Sequence, residues 1–462
     1  MQGKLETIKE YIKNNQSLFF TMLMGIFLSA YQIKFGTGKT LNTLLFLTSA
    51  VGIVLSFNHG LAILLISFST FTLGVFFSVV TFGITIYYQI SFFALTVLFC
   101  VMVKDWKKLR LMNRFDLVVS LLFFINLVLF SFIGVLRGGA VSEVIKEFFL
   151  FGLWLIPLIV PYYLNRKSAK YLINTIIGIC IFVSFLYLRA DFLGIYNFDN
   201  NRVYTRHVFI YVFALPYIFS MFLVAKRKKA FYIGVMILSM WGLLITQTRS
   251  VLLGILLSII GTILLVKGIN FKRTAILVVV SLIGYVLFIN YFPNEIIRDR
   301  VASFSEFYKD NSFLMRFVTT YDVVSQHGFD LIKGLGLANT FYLNENPLYS
   351  AMSAYWVDIG YLSIIAKTSI SGLLLILIIV GRVFYNCVVQ YKKGVYKNVY
   401  HKTVIIGSIC AILSVLLINF LFPIMIKYIY LIIFCTLITL PQYYKIEEER
   451  FIRKEEKLLN DF

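Results

Sequence analysis

Residues 117–136 read LVVSLLFFINLVLFSFIGVL, an uncharged run set between Arg114 and Asp116 on one side and Arg137 on the other. A helix of about 20 residues, rising 1.5 Å per residue, spans the ~30 Å hydrocarbon core of a bilayer. This run is long enough, and residues 274–292 and 370–380 with its apolar approach read the same way. Over 462 residues the chain is 60% hydrophobic, 17% aromatic and 14% charged, with a mean hydropathy of +0.85. A soluble chain is about half apolar, whereas this one cannot cover its apolar surface in water. A helix satisfies its own backbone polar groups in lipid. The sequence therefore predicts an all-α polytopic membrane protein, one integral membrane domain over residues 1–462.

The net charge of +21 would point to nucleic acid in a soluble protein, but here the cations follow topology. Basic clusters at 104–114, 166–170, 226–229, 267–273, 382–402 and 445–457 recur between successive pairs of apolar runs. The positive-inside rule places them, and both termini, in the cytoplasm. About 12–14 transmembrane helices follow, with one large external loop between two late helices. Lys4, Lys9 and Lys13 precede an apolar run without a small-residue cleavage site, so an uncleaved first span is expected. The five cysteines, Cys100, Cys180, Cys387, Cys410 and Cys435, are odd in number and lie in or beside apolar stretches, which argues against a disulfide framework or a metal cluster.

Two external segments are long, 189–207 and 293–355, and long ordered loops usually carry function. The external side also holds arginines against the topological bias: Arg137, Arg189, Arg202, Arg206, Arg249, Arg298, Arg300 and Arg316. Arginine grips phosphate or carboxylate through a planar fork, whereas lysine suffices as an anchor, so an anionic ligand at the outer face is expected. The plainer reading is that individual arginines snorkel to lipid phosphates or pair with acidic neighbours. Arg249 stands apart, because the turn Thr246-Gln247-Thr248-Arg249-Ser250 is squeezed between two apolar segments. A charge that close to hydrocarbon needs a partner or a wet cavity. The larger loop carries helical patterning over 313–329, then Gly334-Leu335-Gly336, which on its own could be only a helix-ending turn. No phosphate-binding glycine loop, His-Glu-x-x-His or Gly-x-Ser-x-Gly occurs, and His207 and His327 read as polar surface residues. Nor is there an evident inverted repeat with broken helices.

The order of these features resembles the O-antigen ligase and polymerase family, bacterial membrane enzymes acting on lipid-linked glycans. Thr248-Arg249-Ser250 entering an apolar helix is similar to the family's Ser-Arg-Gly signature. Arg316-Phe317 through Asp322, then Ile332-Lys333-Gly334-Leu335-Gly336-Leu337, looks like its arginine-led helix and "pl-x-G-x-G" element. Asp358-Ile359-Gly360-Tyr361-Leu362 followed by Ser369-Ile370-Ser371-Gly372-Leu373 resembles "H-N-x-y-l … G-i-i-G-l". The resemblance implies a glycosyltransferase in the bacterial cytoplasmic membrane. Its partners would be an undecaprenyl-diphosphate-linked oligosaccharide, the growing glycan, membrane lipid and other assembly proteins, with no cofactor, metal or nucleotide sugar. Arg249, Arg316 and either Arg202 or Arg206 would bind the diphosphate. Val251 follows Ser250 where the signature often has glycine, and Asp358 stands where ligases carry histidine. The second departure points to the polymerase branch, which joins repeat units into capsule, exopolysaccharide or O-antigen.

The residues taken alone fit this chemistry. Arginines held in a site of low dielectric stabilise a departing diphosphate, and a partly buried carboxylate can take the proton of an acceptor hydroxyl. Asp358, beside Trp356 and Tyr361, is the candidate base; its plainer reading is a helix-end carboxylate that caps or pairs with Lys367. A ligase would share the donor site and differ at the acceptor. A transporter of lipid-linked glycans would need charges along a path through the membrane, and Lys367 is the main one the spans offer.

Overall fold

The computed structural model describes residues 106–164, 166–192, 208–225, 228–246, 249–267, 311–343, 352–354, 359–394, 396–420, 425 and 428–460. They are mostly helical. Four helices are long and apolar enough to cross a membrane: Arg114–Leu136, Val141–Tyr162, Gly360–Lys393 and Val399–Ile418. Shorter apolar helices cover Ile210–Val224, Lys229–Leu244 and Val251–Val266. The rest of the expected 12–14 crossings, and most of the 189–207 and 293–310 stretches, lie outside the described residues. One departure from an all-helical chain is a small antiparallel pair, β1 (Phe341–Leu343) and β2 (Met352–Ala354), registered Phe341 to Ala354.

Helix α1 (Arg114–Leu136) begins where the Asn113 side chain accepts the Phe115 N–H at 3.1 Å, with Asp116 in the first turn beside the positive end of the helix dipole. Gly138, at φ +88°, ends it. Leu117, Leu121, Phe124, Leu129 and Phe132 stay exposed along one side, while Phe123, Leu127 and Phe130 are buried on the other. Helix α2 (Val141–Gly152) continues to Tyr162 through 3-10 turns at Leu153–Leu155 and Val160–Tyr162, because Pro157 and Pro161 cannot donate to a regular helical ladder.

Next come α3 (Arg166–Phe192), α4 (Ile210–Val224), α5 (Lys229–Thr246) and α6 (Arg249–Lys267). After them stand α7 (Asn311–His327), the single turn α8 (Asp330–Lys333), α9 (Gly360–Lys393), α10 (Val399–Ile418), α11 (Tyr428–Leu437) and α12 (Thr439–Asn460). Helix α4 is the hub: it is buried over nearly its whole length and lies against α3, α5, α6 and α10. Between apolar helices in lipid the drive to associate comes from close packing and short hydrogen bonds, which favours small residues at the contacts. The α6–α10 seam fits that rule. Gly254, Ser258 and Thr262 recur every four residues on α6, opposite Cys410 and Ser414 of α10, with Ser258 and Ser414 Oγ atoms 2.5 Å apart and Ser414 Oγ donating to the Gly254 carbonyl at 2.8 Å. Likewise Tyr211 OH lies 2.9 Å from Ser184 Oγ between α4 and α3. Tyr217 OH lies 2.8 Å from Ser408 Oγ, its ring lying against Gly407.

The two ends of the bundle differ in chemistry. At one, Arg382 Nε lies 2.5 Å from Asp116 Oδ1, Tyr162 OH donates to Asp116 Oδ2 at 2.7 Å, and Lys393 and Lys397 pair with Glu448 and Glu447 of α12. At the other, α1 ends, α2 and α9 begin, and the Gly360 N–H donates to the Asn419 carbonyl at the close of α10.

Because Tyr217 lies against Gly407, a side chain there would overpack the α4–α10 contact. Gly407→Val is expected to cost about 1–3 kcal/mol and to lower the thermal unfolding midpoint of the purified protein in detergent. An unchanged midpoint would mean that the two helices do not approach so closely.

Candidate functional site

Helix α9 is broken inside its span. Ser369 takes φ 62° and ψ 177°, a conformation that glycine adopts and other residues rarely do. Both sides of the break are satisfied. Below it, the Ser371 N–H donates to Ser369 Oγ at 3.0 Å, so Ser369 acts as an N-cap for the second half of the helix. Ser371 Oγ in turn accepts from Asn126 Nδ2 of α1 at 2.7 Å. Above it, the Ala366 carbonyl accepts the Leu335 N–H at 2.7 Å, from a segment far away in sequence. Irregular backbone at membrane depth is tolerated where protein buries and pairs it.

The segment that fills the break is 334–341. Its turn needs three left-handed residues, Gly334 (φ +85°), Gly336 (φ +95°) and Ala338 (φ +61°). Gly334 ends α8, as a helix-terminating glycine does. Gly336 has a further reason to be glycine, since a Cβ there would fall on the backbone of Gly134 in α1. The Leu337 N–H donates to the Phe130 carbonyl at 3.0 Å. Residues 334–338 are buried, although they belong to what the sequence presents as an external loop.

A buried ion pair closes over this segment. Lys367 Nζ lies 2.9 Å from Glu147 Oε1, with the two side chains 0% and 2% exposed. Lys367 also donates to the Asn339 carbonyl at 2.6 Å, and the Ala338 N–H donates to Glu147 Oε2 at 2.7 Å. The ring of Phe341 lies 5.8 Å from the ammonium. Both charges sit about two turns in from the starts of α2 and α9, roughly 10 Å deep. Paired and bonded to backbone, they are compatible with burial; removing one partner of such a pair typically costs about 3–5 kcal/mol.

Arg316 is half-buried on α7, and its carbonyl accepts from the Thr319 and Thr320 hydroxyls. A small core of Val323, Leu331, Leu335, Phe341 and Ala366, with Leu362 against it, fastens α7 and α8 to α9. His327 stands edge-on to Phe341 at 6.1 Å; burial and then the Arg137 cation hold its imidazole below the usual range, against the opposing pull of Asp330. Arg249 is the first residue of α6. Arg202, Arg206 and Asp358 lie outside the described residues, so of the expected diphosphate ligands only Arg316 has a described side chain. Lys367, which the sequence offers as a partner for Asp358, is held by Glu147 and Asn339. Glu147 is not marked out by the sequence: among Glu143, Lys146 and Glu147 at the start of a helix it looks like one more terminal charge, and only its depth reveals the need for a partner. Among the described residues no cluster of His, Cys, Asp or Glu is arranged to hold a metal ion, and the described cysteines are buried and unbonded to one another.

The strain at Ser369 gives a direct check. A non-glycine residue there costs about 1–3 kcal/mol, while the Ser cap is worth about 1 kcal/mol. Ser369→Gly is therefore expected to leave the thermal midpoint unchanged or raise it, and Ser369→Val to lower it. Equal loss from both would argue against a left-handed backbone at this position. Comparison with protein-family models and with curated proteins gives no match for this chain.

Proposed function

We propose that this protein is a polytopic membrane glycosyltransferase that polymerises undecaprenyl-diphosphate-linked oligosaccharide repeats into a surface polysaccharide at the outer face of a bacterial cytoplasmic membrane. One observation carries the reading. Two sequence elements that resemble the O-antigen polymerase family, Gly334-Leu335-Gly336 and Ser369-Ile370-Ser371-Gly372, lie far apart in the chain yet meet: the Leu335 N–H donates to the Ala366 carbonyl, three residues before Ser369, and a Cβ on Gly334 would fall against the Ser369 backbone nitrogen. Ser369 stands where the family element has glycine, and it adopts a backbone suited to glycine. The arginine-led helix α7 is packed against the same end of α9.

In this reading Arg249 and Arg316, with Arg202 or Arg206, hold the diphosphate. As the bond from the anomeric carbon to the diphosphate oxygen breaks, its electron pair goes to that oxygen, where the guanidinium groups stabilise the growing charge. The acceptor hydroxyl oxygen bonds to the anomeric carbon, and Asp358 takes its proton. A ligase would use the same donor site with a different acceptor. A transporter of lipid-linked glycans is the other reading to keep, because a broken helix and a buried charge pair also occur at transport sites.

Cells lacking the protein separate these readings. The polymerase reading expects loss of long chains, with single lipid-linked repeats gathering outside the membrane. Full-length polymer left on its carrier would instead indicate a ligase, and repeats trapped on the cytoplasmic side a transporter. Within the site, Asp358→Asn is expected to lower the polymerisation rate about 100- to 10,000-fold without loss of donor binding. Normal chains from that variant would remove Asp358 as the base. Arg249→Lys should fail nearly as badly as Arg249→Ala, because a point charge does not reproduce bidentate geometry; full activity from the lysine variant would contradict the diphosphate role.

A further inference from the structure

The proposed chemistry uses neither Glu147 nor Lys367, yet their placement is specific. Each makes one bond to the other and one to adjacent backbone of the excursion, Glu147 to the Ala338 N–H at 2.7 Å and Lys367 to the Asn339 carbonyl at 2.6 Å. Burial asks that the remaining lone pairs and protons of both groups be bonded as well, and here those bonds reach two consecutive residues of the excursion. The two backbone bonds fall at the end of the left-handed turn, on Ala338 and the residue after it, just before β1. Upstream of this point lies α7 with Arg316, and downstream, beyond β2, lies Asp358. Between α7 and β1 the described excursion is held as well by the backbone bonds of Leu335 to Ala366 and Leu337 to Phe130 and by the small apolar core around Leu335 and Phe341; the charge-assisted bonds fix the register at 338 and 339, where the chain passes from these contacts to β1.

We infer that Glu147 and Lys367 are positioning residues: their buried pair latches residues 338 and 339 into the break of α9 and thereby sets where the Arg316 helix stands relative to the head of α9. Neither side chain touches substrate in this assignment. The latch follows from the geometry, and only its catalytic consequence rests on the polymerase reading.

The test places spin labels at Tyr321→Cys on α7 and Leu136→Cys at the end of α1, positions that are 74% and 84% exposed. The full chain is used in lipid nanodiscs with Cys100→Ser; Cys180, Cys387, Cys410 and Cys435 are buried. One narrow separation is expected for the otherwise native chain. Glu147→Gln is expected to lose it, the distribution broadening or splitting. Since breaking one side of a buried pair can unfold a protein, the second variant is Glu147→Leu with Lys367→Met, which removes both charges and fills the space with apolar atoms. It is expected to keep the thermal midpoint and still lose the narrow separation, because no acceptor remains for Ala338 and no donor for Asn339. A purely structural pair would leave the separation intact in that double variant. A narrow distance retained in both variants overturns the latch. Broadened distances with a normal chain-length distribution in cells would leave the latch in place and overturn its catalytic consequence, whereas failure of the polymerase reading itself is read from the cells lacking the protein.

Discussion

The described structure turns on two opposite charges meeting about 10 Å inside an apolar bundle. Lys367 and Glu147 could not be buried singly, since an isolated ion in such surroundings loses its hydration with nothing in return. Paired at 2.9 Å, and each bonded to backbone of residues 338–339, they turn a liability into a fixed point. Through that point α1, α2 and α9 share one end with a segment that would otherwise lie outside the bundle. The break in α9 follows from the same arrangement: the Ala366 carbonyl accepts from Leu335, and Ser369 takes the left-handed backbone that re-aims the chain.

The rest of the molecule follows a different rule. Away from the pair, helices meet through small residues and hydroxyls, as along Gly254, Ser258 and Thr262 opposite Ser414 and Cys410. Such contacts hold helices together without directional charge. The end where Asp116 meets Arg382 and Lys393 meets Glu448 is laced with ion pairs among α1, α9 and α12. Arginine and lysine thus pair with carboxylates of neighbouring helices at one end, while at the other the charges organise backbone.

The helical, apolar character of the described spans is legible in the sequence because it rests on local composition. The run 117–136 is a helix at nearly those limits, and Asn113 and Asp116 mark its start as a cap and a dipole partner do. The apolar run after Arg249 predicts a helix entered at that residue, and Arg249 opens α6. Gly334 as a helix-ending residue was also readable. The rest depends on partners distant in sequence. Nothing near Gly336 indicates that Gly134 will approach it, and nothing near Ser369 indicates that Leu335 will take the carbonyl its break frees. Nothing near Glu147 marks it either, since its partner lies 220 residues away. Arg202, Arg206 and Asp358 lie outside the described residues, so their convergence with Arg316 stays a matter of the proposed chemistry.

The central claim is that this chain itself joins glycan units, with its own arginines doing the work at the diphosphate. The most direct measurement gives the purified full-length protein in nanodiscs a lipid-diphosphate-linked repeat as sole substrate, with a chelator present and no nucleotide sugar. A ladder of lengthening glycans is expected, with one free lipid diphosphate released per linkage formed. Repeats recovered unextended, from protein that retains its native thermal midpoint, would contradict it.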